Sequence, residues 1–451
     1  MTTAERRLLS GWGRTAATAA DVVRPDGADA VAGALAGANG RGALARGLGR
    51  AYGDAAQNAG GRVIDTTAMT RFLDIDLERG RARVEAGVSL DALLDAMLPH
   101  GWFLPVTPGT AYVTVGGAIA SDVHGKNHHR DGSFCEHVES LVLLTPSGER
   151  RELTPADDLF WATAGGMGLT GVVLDATVRM TAVETAWVRE DVERAENVDD
   201  CMARMEQRDD DYRYSVAWID CLARGRRLGR SVLIRGDHAR LEDLPEAERY
   251  EALERGHGFR AIAPPWVPNG LLRRETIAAF NEVYFRHAPR SAHGRLVGLD
   301  PFFYPLDGVR GWNTMYGSRG FLQYQFAVPF GREDTVRAAL ERLSSRRVAS
   351  FLAVLKRFGE QRGLISFPLP GWTLALDIPA GTPGLAELLD GLDELVANAG
   401  GRVYLAKDSR LRPDLLEAMY PQLSRWRELQ RSVDPGGRMR SDLSRRVGLL
   451  A

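Results

Sequence analysis

Strict alternation of side chains is clearest in Leu322-Gln323-Tyr324-Gln325-Phe326-Ala327-Val328. It predicts a β-strand with Gln323 and Gln325 on one face and Tyr324, Phe326 and Val328 on the other. The same period puts Thr373 and Ala375 together in the run 372–378, opposite Trp372 and Leu374. Residues 214–219 and 351–357 are further strands. Residues 334–345 and 385–399 are helices, the second starting just after Pro383-Gly384. Between them, 241–255 reads as an acidic helix facing solvent. From about Val183 to Gly400 the pattern is that of an α+β unit, one antiparallel sheet with helices on one side. The N-terminal part has strands at 21–25, 43–46, 81–87 and 138–144. A helix at 29–36 turns Val31, Ala34 and Leu35 to one face, and Ser89 caps another at 90–98. A last helix is predicted at 413–420.

Three glycine-rich segments interrupt the N-terminal pattern. The first is Gly47-Leu48-Gly49-Arg50-Ala51-Tyr52-Gly53-Asp54. It is not a dinucleotide fingerprint, because the third glycine is one place late and the following residues end in a turn rather than a helix. Its backbone N–H groups can still cradle a pyrophosphate. The second segment pairs Thr107-Pro108-Gly109-Thr110 with Val115-Gly116-Gly117-Ala118-Ile119-Ala120-Ser121, and ends in His124-Gly125-Lys126-Asn127-His128-His129. Small residues there let the backbone approach a large flat ligand. The third runs from Gly165 through Gly171, after which Val172 and Val173 resume a strand.

Composition narrows the function classes. The chain has 451 residues and a net charge of −2, which gives no electrostatic support for nucleic-acid binding. Cys135, Cys201 and Cys221 are sparse and lack metal-ligand spacing. No apolar run is long enough to cross a membrane, and the first twenty residues lack the apolar core of a secretory signal. A cytoplasmic protein is expected, with peripheral membrane contact left open. A zinc site built from Asp122, His124, His128 and His129 is not expected, since adjacent histidines on an extended chain point to opposite faces.

These motifs resemble the flavin-binding core of the vanillyl-alcohol-oxidase superfamily. The form His124-Gly125-Lys126-Asn127-His128-His129 resembles one branch, the decaprenylphosphoryl-β-D-ribose 2′-oxidase family. The resemblance covers about Val23 to Leu449, most strongly at 46–58, 106–129, 321–326 and 404–410. It implies an α+β, two-domain flavoenzyme. A PCMH-type FAD-binding domain would occupy 1–188 and be completed by 402–451, with a substrate domain at 189–401. It assigns flavin contacts to residues 47–54, 107–110, Val115, Gly116, Gly117, Ala120, Ser121, His124, Gly125, Asn127, His128, Gly171, Val173 and Tyr404. Arg50 stands where many superfamily members carry the histidine that bonds the flavin, so non-covalent FAD is expected.

Oxidation of an alcohol by flavin needs a group to take the hydroxyl proton and positive charge near the reduced ring. Lys407, which follows a strand end, and Lys126 are candidates, with His124 and Tyr52 as further catalytic candidates. Gln323 and Gln325 suit sugar hydroxyls, the alternative being a solvent-facing strand. Trp218, Thr373 and Ala375 complete the expected substrate pocket with Lys126 and Lys407. The family often has cysteine at Ala375 and asparagine at Thr373, so both are departures. The implied substrate is decaprenylphosphoryl-β-D-ribose, oxidised at its 2′-hydroxyl on the way to cell-wall arabinan, and the implied partner is a keto-sugar reductase. A tailoring oxidase of a soluble sugar or nucleoside and a non-catalytic flavin-fold protein remain alternatives. Pro264-Pro265-Trp266-Val267-Pro268 and Leu271 are the expected membrane-docking loop, with packing on its own domain equally open.

Overall fold

A computed structural model describes residues 4–256, 261–263 and 272–450, giving backbone alone for Ala261–Ile262. The loop expected to dock on a membrane, 264–271, lies outside them. Two sheets form the N-terminal part. In the first, Glu5–Ser10, Ala17–Val23, Arg62–Asp65 and Ala43–Arg46 lie side by side, and the last two contacts are parallel. The helix Ala28–Ala36 crosses over and buries Val31, Ala34 and Leu35, the face that its spacing predicts. The second sheet is antiparallel: Phe72–Asp76, Arg81–Glu85, Val172–Arg179, Val138–Leu144 and Arg150–Leu153. The Ser89 hydroxyl caps Leu90–Met97 by accepting from the Ala92 N–H at 3.0 Å.

Most of the described residues from Trp187 to Val403 are organised on one eight-stranded sheet whose neighbours are all antiparallel. Its order is Ser291–Gly298, Trp187–Ala195, Ser231–His238, Tyr214–Ile219, Ala353–Phe358, Gly371–Pro379, Phe321–Pro329 and Arg402–Val403. The helices Val198–Arg208, Glu333–Ser345 and Leu385–Asn398 bury apolar faces against one side of it. Arg274–His287 packs on the opposite side, where Tyr284 meets Trp218 at 4.7 Å.

The acidic helix expected at 241–255 does not form. Two short 3₁₀ turns, Leu241–Asp243 and Glu246–Glu251, replace it. Pro245 separates them, lacks an N–H and keeps Leu244 out of the helical region. In the histidine segment, His128–Asp131 is a single helical turn, not the extended chain on which the zinc site was weighed.

After Val403 the chain returns to the N-terminal sheets. Ala43 exchanges backbone bonds with Arg438 and Arg440, at 2.8 and 3.0 Å. The Trp426 indole, fully buried, donates to the Ala162 carbonyl at 2.8 Å. Trp426→Ala is therefore expected to cost about 3–5 kcal/mol, through lost burial plus a cavity. Denaturant unfolding checks this; an unchanged midpoint would show that the returning helix carries little of the fold's stability.

Candidate active site

A continuous cavity of ≈ 2390 Å³, open mouth included, lies between the glycine-rich segments and the face of the eight-stranded sheet on which Arg274–His287 packs. Its lining combines the glycine-rich loops, the sheet and the turn that carries Lys407, so one large ligand could touch all three.

Glycine shapes the floor. A Cβ on Gly47 would strike the Thr114 hydroxyl, and one on Gly116 would come within 2.9 Å of the Ala86 methyl group. Gly49 holds φ = +66°, which other residues rarely adopt. Among the described residues, nothing accepts from the backbone N–H groups of Gly47, Leu48, Gly49, Arg50 or Ala51. These are unpaired donors on the cavity wall, the arrangement that a pyrophosphate satisfies. Arg50 stacks on Trp12 at 3.9 Å and donates to the Tyr112 carbonyl at 3.1 Å.

The roof follows from strand register. Trp218 lies opposite Val354, Val354 opposite Ala375, and Ala375 opposite Gln325. Two residues along, Lys356 lies opposite Thr373. Gln323 lies opposite Asp377 and donates to its carboxylate. Both glutamines are buried and face the cavity, whereas Tyr324, Phe326 and Val328 enter the core, so the solvent-facing alternative falls.

The third wall comes from the chain's return. The Tyr52 N–H donates to the Ala406 carbonyl at 3.0 Å, which joins the first glycine loop to the turn carrying Lys407. The Lys407 ammonium lies over the Tyr52 ring, 5.1 Å from its centre. Burial lowers the Lys407 pKa, Asp377 opposes that, and burial raises the Asp377 carboxyl. Burial also keeps the Tyr52 phenol protonated, so it acts as a donor and not as a base.

His124 sits between two nitrogens, Gln325 Nε2 at 3.1 Å and Lys356 Nζ at 3.4 Å. Burial and the neighbouring lysines hold its pKa far below the usual histidine value. Lys126 gives its ammonium to the Phe302 carbonyl at 2.5 Å, and burial brings its pKa to about 8. The Tyr404 hydroxyl donates to the Ser121 carbonyl at 2.8 Å.

Most of the residues expected at the site line this cavity, but Gly53, Asp54, Val115, Asn127, His128 and Thr373 do not. Gly53 is pressed against the Asp408 carbonyl, and Asp54 pairs with Arg446 at 2.8 Å. Val115 is core. Asn127 donates to the Pro105 carbonyl at 2.9 Å. His128 Nδ1 accepts from the Gly359 N–H at 3.1 Å. Thr373 accepts from Gln325 and donates to the Phe326 carbonyl. These residues hold the lining in place from behind. Among the described residues no three His, Cys, Asp or Glu side chains converge as metal ligands.

Sequence reasoning missed Lys356, Asp377, Tyr284 and Leu352. A usable signal existed for the first. Only three of the chain's 57 basic side chains are lysines, and all three line this one cavity.

Comparison with known proteins identifies the large ligand. Residues 19–154 match the model of an FAD binding domain. Decaprenylphosphoryl-β-D-ribose oxidase of Mycolicibacterium smegmatis is 44% identical over 456 aligned positions, covering 99% of this chain and 98% of that protein. An uncharacterised Streptomyces coelicolor protein from the mprA 5′ region is 43% identical over 372 positions, 80% of this chain and 100% of that protein. L-Galactono-1,4-lactone dehydrogenase 2 of Oryza sativa subsp. japonica is 30% identical over 177 positions, only 38% of this chain.

The unpaired N–H groups and the glycine cradle fit FAD. With arginine at position 50, the expected outcome is a yellow protein whose flavin passes entirely into the supernatant on acid denaturation. Colour retained in the pellet would reveal a covalent link.

Proposed function

The chain belongs to the decaprenylphosphoryl-β-D-ribose oxidase family of FAD-binding oxidoreductases, and from that membership we propose that it oxidises the 2′-hydroxyl of a polyprenylphosphoryl-β-D-ribose to the ketone. FAD supplies the hydride acceptor. Residues 1–188 with 402–451 hold it, and 189–401 cover it and receive the sugar.

The observation that carries this reading is the graded roof of the cavity. At one end stand Gln323, Gln325, Lys356 and Lys407, with His124 beneath them. At the other stand Val216, Trp218, Ile234 and Tyr284, which are apolar or aromatic. A sugar head bound at the first end and an isoprenoid tail along the second match this gradient. The helix that carries Tyr284 also exposes Phe280 and Val283 to solvent, a surface suited to peripheral contact with the membrane that holds such a lipid. No helix among the described residues is long and apolar enough to cross a membrane.

Each polar residue has a task. The carbonyl oxygens of Gln323 and Gln325 have no partner among the described residues and await donors, which sugar hydroxyls provide. Lys407, balanced by Asp377, keeps a positive charge against the oxygen and the flavin edge. Tyr52 donates a hydrogen bond beside it. The product is a keto sugar, so a reductase must follow if epimerisation is the outcome. A soluble sugar would leave the apolar end of the cavity unused.

Lys407→Ala is expected to retain FAD and to lose about 10²–10³-fold in the rate at which substrate bleaches the flavin, the usual effect of removing one positioned charge or donor. A near wild-type rate in stopped flow would remove Lys407 from the mechanism.

Ala375 lies beside Gln325 without a sulfur atom, and the three cysteines are buried away from the cavity with their thiols pushed up by burial. Nitroaromatic compounds activated at the flavin are expected to inhibit reversibly, and Ala375→Cys to introduce a covalent adduct while sugar oxidation continues. Intact-protein mass spectrometry reads the difference; a stoichiometric adduct on the unaltered chain would contradict it.

A further inference from the structure

The three lysines meet different electrostatic surroundings in one cavity. Lys126 has the Phe302 carbonyl and the charge of Glu190. Lys407 has Asp377. Lys356, on the strand Ala353–Phe358, has no carboxylate against it among the described residues. The titratable groups facing it are Lys407, Lys126, His124 and His128. Its polar contact is His124 Nδ1, 3.4 Å away.

The hydrogen bonds around His124 bear on the charge of this amine. The Thr373 hydroxyl donates to the Phe326 carbonyl at 2.9 Å, so its oxygen must accept from Gln325 Nε2 at 3.0 Å. That orients the amide. Its second N–H points at His124 Nε2, 3.1 Å away, which therefore accepts. A neutral imidazole that accepts at Nε2 carries its proton on Nδ1. Nδ1, 3.4 Å from Lys356, is then no acceptor for an ammonium proton, and the Gly125 backbone hydrogen-bonds the ring instead, which leaves the Lys356 lone pair free for substrate. Burial and two neighbouring ammonium groups act in the same direction and bring Lys356 down to about 7.

We propose that Lys356 is the proton acceptor for the sugar hydroxyl, with Thr373 and Gln325 orienting His124 so that its ring offers a Lys356 ammonium no acceptor. The proposal rests on the cavity being a sugar-oxidising site. In the step, the carbinol C–H leaves as hydride to the flavin and the O–H proton passes to the Lys356 amine. The products are ketone, ammonium and reduced cofactor, with no further reactant. A guanidinium does not give up its proton, so arginine could not serve here. That is a physical reason for lysine at this position in a chain whose basic residues are otherwise almost all arginine.

With only three lysines, protein grown on [ε-¹³C]lysine gives three side-chain signals, each assigned by its own Lys→Arg variant. In the FAD-loaded enzyme the Lys356 signal is expected to titrate near 7. A signal that stays protonated up to pH 9 would overturn the proposal. In stopped flow with a short-chain polyprenylphosphoryl-β-D-ribose, the wild-type rate of flavin reduction should rise with pH through about 7 and then level, because the competent form is deprotonated. Lys356→Arg and Lys356→Gln should keep bound flavin, lose that ionisation and fall about 10²–10⁴-fold. Near wild-type reduction in either variant would overturn the proposal. A wild-type enzyme that this sugar does not reduce would overturn the substrate reading instead. In that case the lysine titration still decides whether Lys356 is a free amine.

Discussion

Moving an ammonium ion out of water costs several kcal/mol unless the protein returns a partner, and three such side chains share one cavity here. The surrounding structure is arranged around that cost. The Phe302 carbonyl and Glu190 meet Lys126, and Asp377 meets Lys407. Asp377 is itself buried; its carboxylate accepts from the Gln323 amide, and its backbone N–H donates to the Ser350 hydroxyl. Lys356 receives no such compensation and yields its proton instead. A cavity in which two ammonium groups have partners and one has none separates the tasks that alcohol oxidation requires.

That separation depends on walls from distant parts of the chain. The glycine floor and the turn after Val403 are brought together by the Tyr52–Ala406 backbone bond and by the contact of Gly53 with the Asp408 carbonyl. A side chain at position 53 would push Lys407 away from Tyr52. Behind this contact Arg446 bridges Asp54 and Asp408, each at 2.8 Å, and the buried Trp426 fixes the helix that precedes it. The residues expected at the site that stop short of the cavity, such as Asp54, Asn127 and Thr373, belong to this support. Their hydrogen bonds hold the backbone and side chains that do reach it.

Much of the fold was legible along the chain because each element carries its own period. The strand Phe321–Pro329 shows its two faces through alternation alone, and Ala28–Ala36 shows its buried stripe. The region 241–255 was misread because acidic composition was given more weight than Pro245, which breaks the backbone pattern whatever its neighbours prefer. The helical turn at His128–Asp131 was not legible because four residues are too few to display a helical period.

At the site, the sequence by itself determined the glycine cradle, the faces of Gln323 and Gln325, and the chemistry available from His124, Lys126 and Lys407. Those follow from residue type and local spacing. It left Lys356 and Asp377 invisible, since a lysine near the end of a short strand has the same sequence signature whether it meets solvent or a cavity. What decided their roles was register between strands far apart in the chain. Tyr214–Ile219 pairs with Ala353–Phe358, and Gly371–Pro379 lies between that strand and Phe321–Pro329. Only this order puts Lys356 within reach of His124, a contact across 232 residues. The tertiary structure alone also set the charges, because the protonation of a buried amine depends on what surrounds it in space and not on what adjoins it in the chain.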